Sequence, residues 1–86
     1  MTAIRLDKWL FCARLCRTRE TAQDVIAAGK VRLNGARVAK PGHTVRPGDV
    51  LTVALGGRVS VVKVLSLAGR REAPPLARGL YEPLLD

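Results

Sequence analysis

Leu6, Trp9, Leu10, Ala13 and Cys16 recur at the i, i+3, i+4, i+7 spacing that lines up apolar side chains along one side of a helix. Asp7 stands at the start of this run as its cap, with Arg5 just outside as a partner, and the pattern predicts a helix from there to about Cys16. Lys8, Phe11, Arg14 and Leu15 fall outside the stripe. Phe11 and Leu15 therefore form an apolar pair among basic residues, with two readings open: a neighbouring segment covers them, or the ring stays exposed as a platform on which a base can stack. Arg17, Thr18 and Arg19 make a basic elbow. Thr18 is a suitable N-cap for a second helix up to Ala28, Glu20 and Asp24 favour its N-terminal half, and Ala22, Val25, Ile26 and Gly29 repeat the core spacing. Gly29 supplies a left-handed stop. Arg19, Gln23 and Lys30 follow one another on the outer face, and the start of this helix, flanked by Arg17 and Arg19, would offer backbone donors to a phosphate.

After Lys30 the helical spacing gives way to alternation. Residues 31–38 read VRLNGARV, and Asn34-Gly35 between alternating residues predicts a two-residue hairpin turn. That register sets Leu33 opposite Ala36, Arg32 opposite Arg37 and Val31 opposite Val38. Two arginines facing each other repel by a few tenths of a kcal/mol or more, which a chain accepts most readily where an anion sits. The plainer reading is a pair of solvated side chains that splay apart. Pro41-Gly42 and Pro47-Gly48-Asp49 bracket a short strand from about His43 to Arg46, and the runs Val50 to Leu55 and Val59 to Leu67 flank Gly56-Gly57 as a second hairpin. Residues 69–86 start at Arg70-Arg71, pass through Pro74-Pro75 and predict irregular chain with a turn of helix. Together these elements predict an α+β fold, two N-terminal helices packed on a small, mostly antiparallel sheet of about four to five strands. The binding domain then spans residues 1–68, and residues 69–86 form an extension packing on it or trailing from it.

At 86 residues the chain has room for one thin core, burying about 60% of its unfolded surface. Its 48% apolar content separates it from a disordered basic tail, and with Trp9, Phe11 and Tyr81 as its aromatics the core must be aliphatic. No apolar run approaches the ~20 residues of a membrane span and none follows the N-terminus as a signal peptide would, so the expected setting is cytoplasmic, with no membrane role. Cys12 and Cys16 stack along one helix face without the approach a disulfide prefers, and the single His43 is distant, so the thiols read as small buried groups with no metal site.

Ten of the 15 Lys and Arg residues lie within residues 1–46 against three acids, a net of +7, whereas the remaining forty residues net +1. Such asymmetry is a footprint for a polyanion, usually nucleic acid. Seven scattered acids, one histidine and no glycine-rich phosphate loop leave no catalytic constellation and imply no cofactor, which argues against an enzyme. A DNA binder, or an adaptor holding a protein through Phe11, Leu15 and the C-terminal segment, remains open beside RNA.

The run RLDKWL, the elbow with Thr18-Arg19, then Ala22, Ile26, Gly29-Lys30-Val31, Asn34-Gly35, Lys40-Pro41 and the V-x-P-G-D-V pattern of Val45 to Val50 resemble the S4 RNA-binding domain, or αL motif, over residues 4 to about 55. Within that superfamily, Phe11, Ala13-Arg14, Arg70-Arg71 and Leu80-Tyr81-Glu82 make the chain most similar to the ribosome-associated fifteen-kilodalton heat-shock protein family. The resemblance implies a partner in the free large ribosomal subunit still carrying peptidyl-tRNA, bound through ribosomal RNA, and a role in returning it to use. Members of that family commonly continue past the point of Asp86 into a long basic helix. The expected interface is one convex basic face of a monomer, on which Arg5, Lys8, Arg14, Arg17, Arg19, Lys30, Arg32, Arg37 and Lys40 meet phosphates and Thr18 and Asn34 reach a 2′-hydroxyl, with Phe11 a further candidate contact if its ring stays exposed.

Overall fold

The apolar stripes of the two predicted helices close on each other and on the sheet: Leu6, Trp9, Leu10, Ala13 and Cys16 share one buried cluster with Ala22, Val25 and Ile26, and with Val31, Leu51, Val53, Val62 and Val64 from the strands. The computed structural model describes residues 2–68, 70–71 and 73–85. In chain order the elements are β1 (Ile4–Arg5), α1 (Leu6–Cys12), α2 (Arg19–Ala27), β2 (Val31–Leu33), β3 (Ala36–Arg37), β4 (Thr44–Val45), β5 (Val50–Leu55), β6 (Arg58–Val64), α3 (Pro74–Ala77), a 3-10 turn (Arg78–Leu80) and β7 (Tyr81–Leu85). A five-stranded antiparallel sheet runs in the order β3-β2-β5-β6-β7, and β1 pairs with β4 in a separate two-stranded ladder. This is the expected α+β architecture, with the helices packed on an antiparallel sheet.

The first hairpin has the predicted register. Arg32 faces Arg37 and Leu33 faces Ala36, and the positive φ of Asn34 (51°) and Gly35 (86°) is the conformation that a two-residue turn between twisted strands requires.

Four features depart from the sequence reading. The first helix ends at Cys12, not Cys16, because Arg14 takes a left-handed conformation with φ 61°. The Arg14 N–H then donates to the Phe11 carbonyl at 3.1 Å and the Leu15 N–H to the Leu10 carbonyl at 3.0 Å, the paired closure that turns a chain back over its last helical turn. Ala13 and Cys16 stay in the core even so, since the reversal folds them under the helix. Second, Asp7 is not the cap: Arg5 holds that position, and Asp7 lies inside the helix and fully buried. The first backbone donors of α1 go instead to carbonyls of the loop between β3 and β4, Leu6 N–H to His43 at 2.7 Å and Asp7 N–H to Pro41 at 3.3 Å. Third, β6 stops at Val64, where the Leu65 and Ser66 N–H groups turn to the Leu80 carbonyl. Fourth, Tyr81–Leu85 is a strand and not irregular chain; Pro83 suits it to the sheet edge, where one missing donor costs little.

Trp9 ties the first helix to the last strand. Fully buried, its indole N–H donates to the Ser66 carbonyl at 3.0 Å and its ring meets Tyr81 edge-on with centroids 6.4 Å apart. Cys12 and Cys16 are free and buried, and burial pushes the Cys16 thiol up to about 11. At pH 8 roughly one Cys16 in a thousand would be the reactive thiolate. A thiol-specific chromogenic reagent at pH 8 is therefore expected to leave the folded protein unmodified and to label both cysteines once denaturant is added; rapid labelling of the native chain would contradict this core.

Candidate nucleic-acid interface

The elements bearing the cations follow from three local rules. Arg5 precedes α1 in the two-residue β1 strand, so its side chain lies beside the first turn. Arg14 and Arg17 sit on the reversal after α1, both exposed, and Thr18 caps α2 by accepting the Thr21 N–H at 3.0 Å, which presents Arg19 on the first helical turn. At its other end α2 closes through Gly29 (φ 77°), with the Gly29 N–H on Ile26 and the Lys30 N–H on Val25, both at 3.0 Å, and this stop delivers exposed Lys30 into the hairpin carrying Arg32 and Arg37.

The structure brings some nominated residues together. Arg5 and Arg19 converge on Asp7: Arg5 Nε and Nη2 each lie 3.0 Å from its carboxylate and Arg19 Nη2 lies 3.5 Å away. Gln23 Nε2 at 3.0 Å and the Lys8 N–H at 2.8 Å complete the shell. Burial alone would raise the Asp7 pKa; the hydrogen bonds from Gln23, Arg5 and the Lys8 backbone, with the Arg5 charge, outweigh it and hold the carboxyl below its ordinary value. Asp7 is thus ionised at neutral pH.

Arg32 and Arg37 oppose each other as expected, and the Arg37 guanidinium lies against Gly29, at the carbonyl end of α2, where a cation is favoured. Arg37 and Lys40 also border a groove of about 350 Å³ with Leu33, Ala36, Val38, Ala39 and His43. Lys8 is half-buried, whereas Arg14, Arg17, Lys30, Arg32 and Lys40 are exposed along the elbow and hairpin.

Thr18, Asn34 and Phe11 have internal partners as well. The Thr18 hydroxyl accepts the Thr21 N–H and donates to the Thr21 hydroxyl at 3.0 Å. Asn34 Oδ1 accepts the Val50 N–H at 2.9 Å and its amide donates to Asp49 at 3.2 Å, fastening the hairpin turn to the Pro47-Gly48-Asp49 turn. Both side chains therefore brace the fold while staying at the exposed surface. Phe11 falls between its two readings. It is half-buried, with the Arg71 guanidinium 4.8 Å from its ring centroid and Arg71 Nε donating to its carbonyl at 3.2 Å.

Sequence reasoning missed Asp7 as the hub and Arg71 as the cover of Phe11. The Arg5-x-Asp7 spacing carried a hint of the first, while the second joins residues 60 positions apart and leaves no local signal. Among the described residues no group of three or more His, Cys, Asp or Glu side chains is placed to hold a metal, and no helix is long and apolar enough to cross a membrane.

Comparison with known proteins gives concordant matches. The model of the S4 domain family matches residues 4–51. A heat shock protein 15 homolog from Aeromonas salmonicida is 46% identical over 81 residues, covering 94% of this chain and 61% of that relative. The RQC P-site tRNA stabilizing factor of Bacillus subtilis (strain 168) is 41% identical over 64 residues, covering 74% of this chain and 73% of that protein. The solved trimeric structure of Vibrio cholerae heat shock protein 15 superposes with a TM-score of 0.88 at 36% identity, covering 94% of this chain and 81% of that one. The chain spans about 60% of the length of the curated heat shock protein 15 relatives. The trimeric relative does not support the monomer expected from the sequence.

Proposed function

The chain belongs to the S4 domain family, and we propose that it is a non-catalytic, ribosome-associated RNA-binding protein of the cytoplasm, acting on large subunits that still carry peptidyl-tRNA. The observation that carries this reading is the coincidence of charge and match: ten cations fall inside the segment matched by the S4 domain, the nine interface candidates Arg5, Lys8, Arg14, Arg17, Arg19, Lys30, Arg32, Arg37 and Lys40 together with Arg46. Relatives named for heat shock and for stabilising a P-site tRNA support a target that combines ribosomal RNA and tRNA.

Mechanistically, the elbow and hairpin supply phosphate contacts from side chains on short, well-braced elements. Such contacts fix register and orientation without reading sequence, so selection among RNAs rests on the match between the curvature of this face and a folded RNA. The half-buried Phe11 takes part through the Arg71 guanidinium stacked on it, which adds a cation beside α1. Co-sedimentation with purified large subunits, empty or loaded with peptidyl-tRNA, against free tRNA and ribosomal RNA fragments over a salt series tests the proposal. Preference for the loaded subunit at physiological salt supports it; equal, salt-fragile binding to every RNA leaves a general S4 module and refutes the subunit role.

Arg14 offers a sharper prediction. A non-glycine residue in the left-handed region costs on the order of 1 kcal/mol, and glycine removes that cost. Arg14→Gly is expected to raise the melting temperature while weakening RNA binding and making the salt slope shallower by about one phosphate. Calorimetry and anisotropy titrations on the same preparation check both signs, and unchanged RNA affinity would remove Arg14 from the interface.

A further inference from the structure

Among the described residues Asp7 is the one buried charged side chain, and it lies in the most basic part of the chain. A carboxylate there weakens the attraction of a polyanion, so its presence asks for a compensating role. Its two oxygens accept four hydrogen bonds, Oδ1 from Arg5 Nε and the Lys8 N–H and Oδ2 from Arg5 Nη2 and Gln23 Nε2, and Arg19 Nη2 forms an ion pair with Oδ2 at 3.5 Å. Those donors come from β1, α1 and α2. The acid thus draws two like-charged guanidinium groups from different elements to one point, where repulsion alone would drive them apart.

Both arginines keep an outer side. Their side chains are 52% and 44% exposed while Asp7 beneath them is 0% exposed. Arg5 spends Nε and Nη2 on the carboxylate, which leaves its Nη1 end, and Arg19 engages it through Nη2, which leaves Nε and Nη1. Gly42 borders the same spot, where an added β-carbon would stand 3.8 Å from Arg5 Cζ. The α1 backbone donors are taken by His43 and Pro41, so any anion here must be held by the side chains.

We propose that Asp7 is a positioning residue that seats Arg5 and Arg19 as a preformed clamp for a single backbone phosphate of the bound RNA, an inference that rests on the RNA-binding reading above. The carboxylate cancels one of the two positive charges and in exchange fixes both guanidinium groups before RNA arrives. The ordering cost of two long side chains then falls on folding and not on binding.

The clamp and simple charge arithmetic predict opposite signs. Asp7→Asn adds one positive charge to a chain of net charge +8, which on charge alone tightens binding to a polyanion. If Asp7 positions the arginines, the same substitution puts an amide donor against guanidinium donors, releases them, and weakens binding to a tRNA stem–loop by roughly tenfold, the equivalent of one charge-assisted contact. The test is fluorescence anisotropy with that stem–loop at about 150 mM salt, well below the melting temperature of each variant, with far-UV circular dichroism confirming the fold. In an Arg5→Ala/Arg19→Ala background nothing remains to be positioned, and Asp7→Asn is expected to tighten binding there; a purely structural role would not reverse in sign. Equal or tighter binding by Asp7→Asn in the parent background overturns the proposal. Should Asp7→Asn not fold, Arg5→Lys carries the test: it keeps the charge but cannot span the carboxylate with two donors, so affinity falls at constant net charge, and unchanged affinity overturns the clamp. A parent chain that binds no RNA defeats the RNA-binding reading itself, before any variant is compared.

Discussion

Trp9→Ala is expected to lower the unfolding free energy by about 3–5 kcal/mol. A domain of 86 residues holds roughly 4–13 kcal/mol in total, so about a quarter or more of its stability rests on this side chain. The size follows from position. Trp9 is fully buried between the helices and the sheet, and it links α1 to the C-terminal part of the chain through the Ser66 carbonyl and the Tyr81 ring. Removing it opens a cavity that a thin aliphatic core cannot collapse to fill, and loosens β7 at the edge of the sheet. Trp9→Phe separates the terms: it keeps most of the packing and forfeits the indole hydrogen bond, for about 1 kcal/mol. Urea denaturation followed by far-UV circular dichroism checks both, and a midpoint unchanged in Trp9→Ala would show that the helix faces are wrongly assigned.

The second large effect is on RNA affinity. If the nine cations of the proposed interface act as inferred, Lys8, Arg14, Arg17, Lys30, Arg32 and Lys40 meet one phosphate each and the Arg5 and Arg19 pair shares one across Asp7, while Arg37 rests against Gly29. Neutralising about six or seven phosphates gives a slope of log K against log salt of roughly −4 to −6, and hence a loss of roughly 250- to 4,000-fold between 50 and 200 mM salt. Anisotropy titrations with a structured RNA at four or five salt concentrations measure it directly. A slope near −1 would mean that most of these cations never meet the RNA.

The parts of this protein that were legible in its sequence are those specified by near neighbours. The apolar spacing of α1 and α2, the Thr18 cap, the Gly29 stop and the Asn34-Gly35 hairpin with its Arg32 to Arg37 register are all set within about a dozen residues, and the structure has each of them. The end of α1 was missed because Arg14 occupies a left-handed position that glycine usually marks, so no residue type announced the reversal. Asp7 was read as a cap because an acid before an apolar run usually is one; the β1 ladder with β4, which moves the helix start back to Leu6, depends on residues some forty positions away. Strand β7 contains a proline and lacks alternation, and it is specified by the open edge of β6, not by its own sequence. The candidate interface shows the same division: which residues are basic was plain, whereas which of them are already engaged by Asp7, Gly29 or Phe11 required tertiary contacts.

The central claim, that the elbow and first hairpin form the RNA-binding face, is tested most directly by titrating the isotope-labelled protein with a structured RNA and following its backbone amide resonances. The perturbed amides are expected to concentrate in residues 5–19 and 30–40, while those of β5, β6 and β7 hardly move. Perturbations centred on β6 and β7, with the elbow and hairpin silent, would contradict it.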